Sequence, residues 1–67
     1  MDNFLTRLVD EQLELQSKLE KLSDFISSGK ISNVELDQQR LLKMQVSAMV
    51  LYNEILKDRI SLLTNNK

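Results

Sequence analysis

From Ser32 to Leu63 neither proline nor glycine interrupts the chain, and apolar residues occupy two adjacent helical stripes. This stretch constrains the fold more than any other, because residues spaced by threes and fours share one face of an α-helix. One set is Leu42, Val46, Met49, Asn53, Leu56, Ile60 and Leu63; the other is Leu41, Gln45, Ala48, Tyr52, Ile55, Arg59 and Leu62. A single partner helix covers one seam of this width and leaves the second for another surface.

The first half of the chain supplies that partner. Leu5, Leu8, Gln12, Leu15, Leu19, Leu22 and Ile26 form a heptad seam with one polar member, widened by Phe4, Val9, Leu13 and Phe25. Asp2 or Asn3 offers a cap at its start, and Asp10, Glu14, Lys18, Lys21 and Asp24 make a solvated face. Ser27-Ser28-Gly29-Lys30 ends this helix, with Gly29 free to take the left-handed conformation common at helix stops. So short a turn folds the two helices back on each other. Ser32 and Glu35 have capping-box spacing, and Ile31 and Leu36 take the staple positions around them, which predicts a second helix starting at Ser32.

The predicted architecture is all-α, a single antiparallel two-helix hairpin. Helix 1 covers about 3–28, a turn 29–31, helix 2 about 32–63, and a frayed tail 64–67. Pairing the helices back from Gly29 sets Leu19 near Leu42, Leu15 near Val46 and Leu5 near Leu56. On that register Ile60, Leu62 and Leu63 overhang the start of the first helix.

Size argues that such a hairpin assembles. A chain of 67 residues buries too little surface to be comfortably stable alone, and with no Cys and no His it lacks disulfides and the usual thiolate and imidazole metal ligands. The expectation is a homo-oligomer, dimeric or higher, closing a helical bundle. Its interface is assigned to Leu41, Ala48, Tyr52, Ile55, Ile60, Leu62 and Leu63.

Charge and composition narrow the function. Residues 1–28 carry six acids and three bases, while residues 29–67 carry six bases and four acids, so the halves attract although the net charge is only −1. Neither half has the basic cluster of a duplex-DNA binder. An acid follows the first Met, and no apolar run approaches the roughly 18 residues of a membrane span. A cytoplasmic protein without a membrane segment is expected. Nucleophilic triads need His or Cys, and phosphate-cradling loops need more than the one Gly present. The carboxylate neighbours Glu11/Glu14 and Glu35/Asp37 come without a Glu-x-x-His motif. No enzymatic activity, cofactor or metal site is therefore expected.

Binding remains. Gln12 and Asn53 interrupt apolar seams and either fix register and oligomer order or touch a ligand. Gln38, Gln45, Tyr52 and Arg59 recur every seven residues and so lie on one line of the second helix. Such a line is either the polar border of an oligomer seam or a row of amide, phenol and guanidinium groups that stack on a base and hold a phosphate. Lys43, Gln45, Tyr52 and Arg59 are the candidate ligand-binding residues, with Arg40 adding charge nearby; Lys43, Lys57, Arg59, Glu54 and Asp58 also have the spacing for solvated ion pairs.

The paired motifs Arg7/Glu11, Lys21-Leu22/Phe25-Ile26, Leu41-Leu42/Gln45, Ala48-Met49/Tyr52 and Ile55-Leu56/Arg59-Ile60 cover most of the chain. In them it resembles small helical-hairpin proteins of tailed phages. That resemblance implies an accessory protein acting inside an infected bacterium. In size and architecture the chain is also similar to phage hairpins that sequester the cyclic nucleotide signals of bacterial immunity. What this implies is capture of a small anionic nucleotide where chains meet, as counter-defence. The alternatives are a module that binds and inhibits a host protein, and a purely structural oligomer.

Overall fold

The computed structural model describes residues 3–65 as two long helices joined by a tight turn, α1 Phe4–Ser27 and α2 Leu36–Thr64. Asn3 starts α1: its backbone is extended, and its Oδ1 accepts the Thr6 N–H at 2.7 Å. That bond satisfies one of the amides a helix start leaves without a partner. Asp2, the other candidate cap, lies outside the described residues. At the far end the Ser28 N–H donates to the Asp24 carbonyl at 2.9 Å, and Gly29 follows at φ 86°, in the left-handed region that a side chain would strain.

Beyond Gly29 the chain departs from the predicted course. Lys30–Asn33 forms a 3₁₀ turn with Ile31 buried in it. The Ser32 hydroxyl donates to the Gly29 carbonyl at 2.8 Å, so it is consumed inside the turn and caps nothing. Val34 and Glu35 are extended, and α2 begins at Leu36 with no side-chain cap. The predicted staple is also absent, since Leu36 is exposed while Ile31 is buried. In place of a capping box, the Gln39 side chain reaches back and donates to the Val34 carbonyl at 2.6 Å. The competition has a simple physical basis: a serine hydroxyl satisfies a nearby carbonyl as readily as a helix amide, and burial of Ile31 favours the tight turn.

This later start moves the register. The fully buried Leu56 clusters with both Leu8 and Leu15, with Met49 and Ile60 packed against them, and Asn53 bonds Gln12 and Gln16, so Leu56 lies between the levels of Leu8 and Leu15 rather than at Leu5. The offset is more than one helical turn, in the direction expected when four residues predicted to be helical go into the turn instead. Ile60 is thereby corrected from overhang to core, because its own chain covers it. Leu62 and Leu63 remain exposed. At its end α2 extends to Thr64, whose hydroxyl donates to the Ile60 carbonyl at 3.0 Å, and the Asn65 N–H donates to the Ser61 carbonyl at 2.8 Å. Of the predicted tail, 66 and 67 lie outside the described residues.

Both predicted seams are recognisable on α2. Asn53 and Leu56 are buried, and Leu42, Val46, Met49 and Ile60 are half-buried against α1. Every member of the second set, Leu41, Gln45, Ala48, Tyr52, Ile55, Arg59 and Leu62, is exposed. Among the described residues, neither helix is long and apolar enough to cross a membrane.

Candidate functional site

Two polar constellations stand out, one inside the hairpin and one on its outer face. The inner one joins the two polar interruptions of the seams. Asn53, only 3% exposed, accepts from Gln12 Nε2 at 3.0 Å and donates through Nδ2 to Gln16 Oε1 at 2.8 Å. Gln16 in turn donates to Glu20 Oε2 at 2.9 Å, carrying the network from the core to the surface. Among the described residues no buried side-chain nitrogen or oxygen is left without a partner. A satisfied buried network stabilises one register, because sliding α1 against α2 by a turn strands several amide groups at once. Gln12 and Asn53 thus bond each other across the hairpin, the arrangement expected of residues that fix register. Gln16 was not among the sequence candidates; its position four residues after Gln12, one turn along the same face, was the available signal.

The outer constellation is the line on α2. Gln38, Gln45, Tyr52 and Arg59 are all exposed on the helix, at intervals of about 10.5 Å. A small-ligand pocket of about 300–1,000 Å³ is roughly 7–10 Å across, so one ligand reaches two neighbours of the line at most. Arg59 has an aromatic neighbour: its guanidinium carbon lies 5.6 Å from the centroid of the Phe4 ring, a cation–π contact between the start of α1 and the end of α2. Phe4 is itself exposed, so ring and guanidinium form one amphipathic patch, and the exposed Tyr52 lies two turns away along α2. Sequence reasoning missed Phe4 as a partner of Arg59, although the predicted pairing of Leu5 with Leu56 already put the two within about one turn of each other.

The helix does not bring the remaining candidate to this line. Lys43 is two residues from Gln45, about 160° round the helix at 100° per residue, and therefore faces away. Gln45 joins the line but has only a long 3.9 Å contact to the Met49 sulfur. Among the ion pairs expected nearby, Glu54 and Lys57 meet at 3.8 Å with both side chains well exposed, an arrangement that contributes little. Of the interface candidates, Leu41, Ala48, Tyr52, Ile55, Leu62 and Leu63 are exposed on α2, and Ile60 is the one drawn inward. No pocket is formed among the described residues, so what the single chain presents is a convex strip of apolar and hydrogen-bonding groups.

Comparison with known proteins adds one result. Neither curated proteins nor solved structures give a match. The sequence model described as Sequestin matches residues 2–62, which take in the whole of α1, the turn and all but the last residues of α2. Both polar constellations fall inside that span, and the chain belongs to the Sequestin family.

Proposed function

We propose that this chain is a non-enzymatic binding protein that sequesters a small anionic nucleotide, of the cyclic signalling type, at a site completed where chains meet. The family name carries a sequestering role. The single observation that supports a nucleotide as the target is Arg59, exposed, seated over the Phe4 ring and in line with Tyr52. A guanidinium beside an aromatic ring combines a phosphate partner with a surface on which a base stacks. Ligand sites are concave, and a convex strip becomes one when a second surface faces it. In this reading the protein is phage-encoded and acts in the host cytoplasm, lowering the free concentration of an immune signal.

Calorimetric titration of the protein with a panel of cyclic di- and trinucleotides tests the reading. Saturable heat with at least one member is expected, reduced at least tenfold in affinity by Arg59→Ala with no change in helix content. Absence of heat across the panel would remove the nucleotide. A second reading, capture of a helix from a host protein, is favoured by the exposed Leu41, Ile55 and Leu62. Affinity capture from a bacterial lysate would then yield one stoichiometric protein partner, which a nucleotide sequestering protein leaves behind.

A further inference from the structure

The chain has three aromatic side chains, Phe4, Phe25 and Tyr52, and no tryptophan. They are not equivalent. Phe25 is half-buried near the end of α1, whereas Phe4 keeps 55% of its surface exposed and Tyr52 43%. A flat, exposed ring is a platform for a nucleobase, and it accepts any base because every base has a π-face. The position of the cation chooses between the two exposed rings.

A nucleotide unit joins its base to its phosphate through one sugar, so a ring and a guanidinium that share one unit must be close neighbours. Phe4 meets this condition, with its centroid 5.6 Å from the Arg59 guanidinium carbon. Tyr52 leaves α2 two turns before Arg59, about 10.5 Å along the axis. A base slotted between ring and guanidinium would need about 7–8 Å, two van der Waals contacts of about 3.5–4.0 Å each. The base therefore lies on the ring beside the guanidinium and not between the two.

The charge of Arg59 is free to meet a phosphate. Among the described residues no carboxylate pairs with it, and the first turn of α1, which Phe4 opens, carries no acid. An exposed guanidinium without a carboxylate beside it keeps its N–H donors for an anion. Phe4 opens α1 and Arg59 lies near the end of α2, so the two meet only when the helices fold together.

We infer that Phe4 is the base-stacking residue of the nucleotide site, with Arg59 taking the phosphate of the same nucleotide unit, so that both helices of one chain build this part of the site. This rests on the reading that the chain binds a nucleotide, and adds the residue that holds the base. Tyr52 lies outside this unit.

Because the chain has no native tryptophan, Phe4→Trp introduces a single indole as a fluorescent reporter. Phe4→Leu removes the ring and keeps an apolar side chain. Position 4 is exposed, so circular dichroism should show unchanged helix content in both variants. The probes are the same cyclic di- and trinucleotides, titrated by calorimetry into the native protein and both variants, with the emission of Phe4→Trp followed in parallel. For each member that gives heat with the native protein, Phe4→Leu is expected to weaken binding about tenfold or more, while Phe4→Trp binds within about threefold of native. Its emission should be quenched with the same midpoint as the heat. Native affinity in Phe4→Leu would overturn the inference and leave the nucleotide reading standing on Arg59. Weakened binding in Phe4→Leu, with an indole whose emission the ligand leaves unchanged, would overturn it too, because the ring would then only position Arg59. Silence of the native protein across the panel removes the nucleotide reading, and this assignment with it.

Discussion

Asn53 and Leu56 are withdrawn from water, while Tyr52 and Ile55, the residues immediately before them, keep 43% and 47% of their surface exposed. One residue along a helix is a rotation of about 100°, enough to carry a side chain from the middle of one interface to open solvent. The two pairs are of similar apolar and polar character. Their fates differ because α1 supplies a complementary seam for one and the chain contains nothing for the other. Composition alone therefore does not decide what is core in a hairpin of this size; the supply of partner surface does.

Substitutions in the two seams separate these roles. Leu56→Ala empties a fully buried position and is expected to cost about 2–5 kcal/mol of folding stability. Ile55→Ala beside it should affect assembly far more than the helix pairing of a single chain; equal losses of stability at both positions would erase the distinction between seams. Chemical denaturation followed by circular dichroism measures both. Asn53→Ala strands the amides of Gln12 and Gln16 and should cost about 1–3 kcal/mol. Combining it with Gln12→Leu and Gln16→Leu should recover part of that loss, since the apolar trio leaves none of the network's amides to satisfy; no recovery would mean that the network does not act as a unit.

The ends of the helices provide smaller effects. Asn3→Ala removes the side-chain cap of α1 and should destabilise by about 1 kcal/mol. Ser32→Ala is the more informative change, because the two accounts of this residue differ. As a capping-box serine its loss would also cost about 1 kcal/mol. As an exposed donor to the Gly29 carbonyl it should cost no more than about 0.5 kcal/mol. A melting comparison of the two variants distinguishes these.

Ser32 also marks where the sequence stops being legible. The seams were readable because they depend only on helical periodicity, and Leu8, Leu15, Asn53 and Leu56 fall where that periodicity places them. Gly29 was readable because a positive φ has a sequence signature of its own. The start of α2 was not, because Ser32 followed three residues later by Glu35 fits both a helix cap and a 3₁₀ turn, and the choice is made by burial of Ile31. That one ambiguity propagated. It displaced the register by more than a turn and left Ile60 apparently unpartnered. Lys43 was grouped with Gln45 by nearness in sequence, although two residues on a helix point nearly opposite ways.

Mass in solution tests most directly the claim that the outer seam of α2 is an interface while the inner one holds the hairpin together. Sedimentation equilibrium of the native chain at micromolar concentration should give a multiple of 7.8 kDa, and Ile55→Asp should reduce it to a single chain that is less stable but still helical. A native chain that sediments as a monomer and still unfolds cooperatively would contradict the account, because the exposed seam would then be stable in water without a partner.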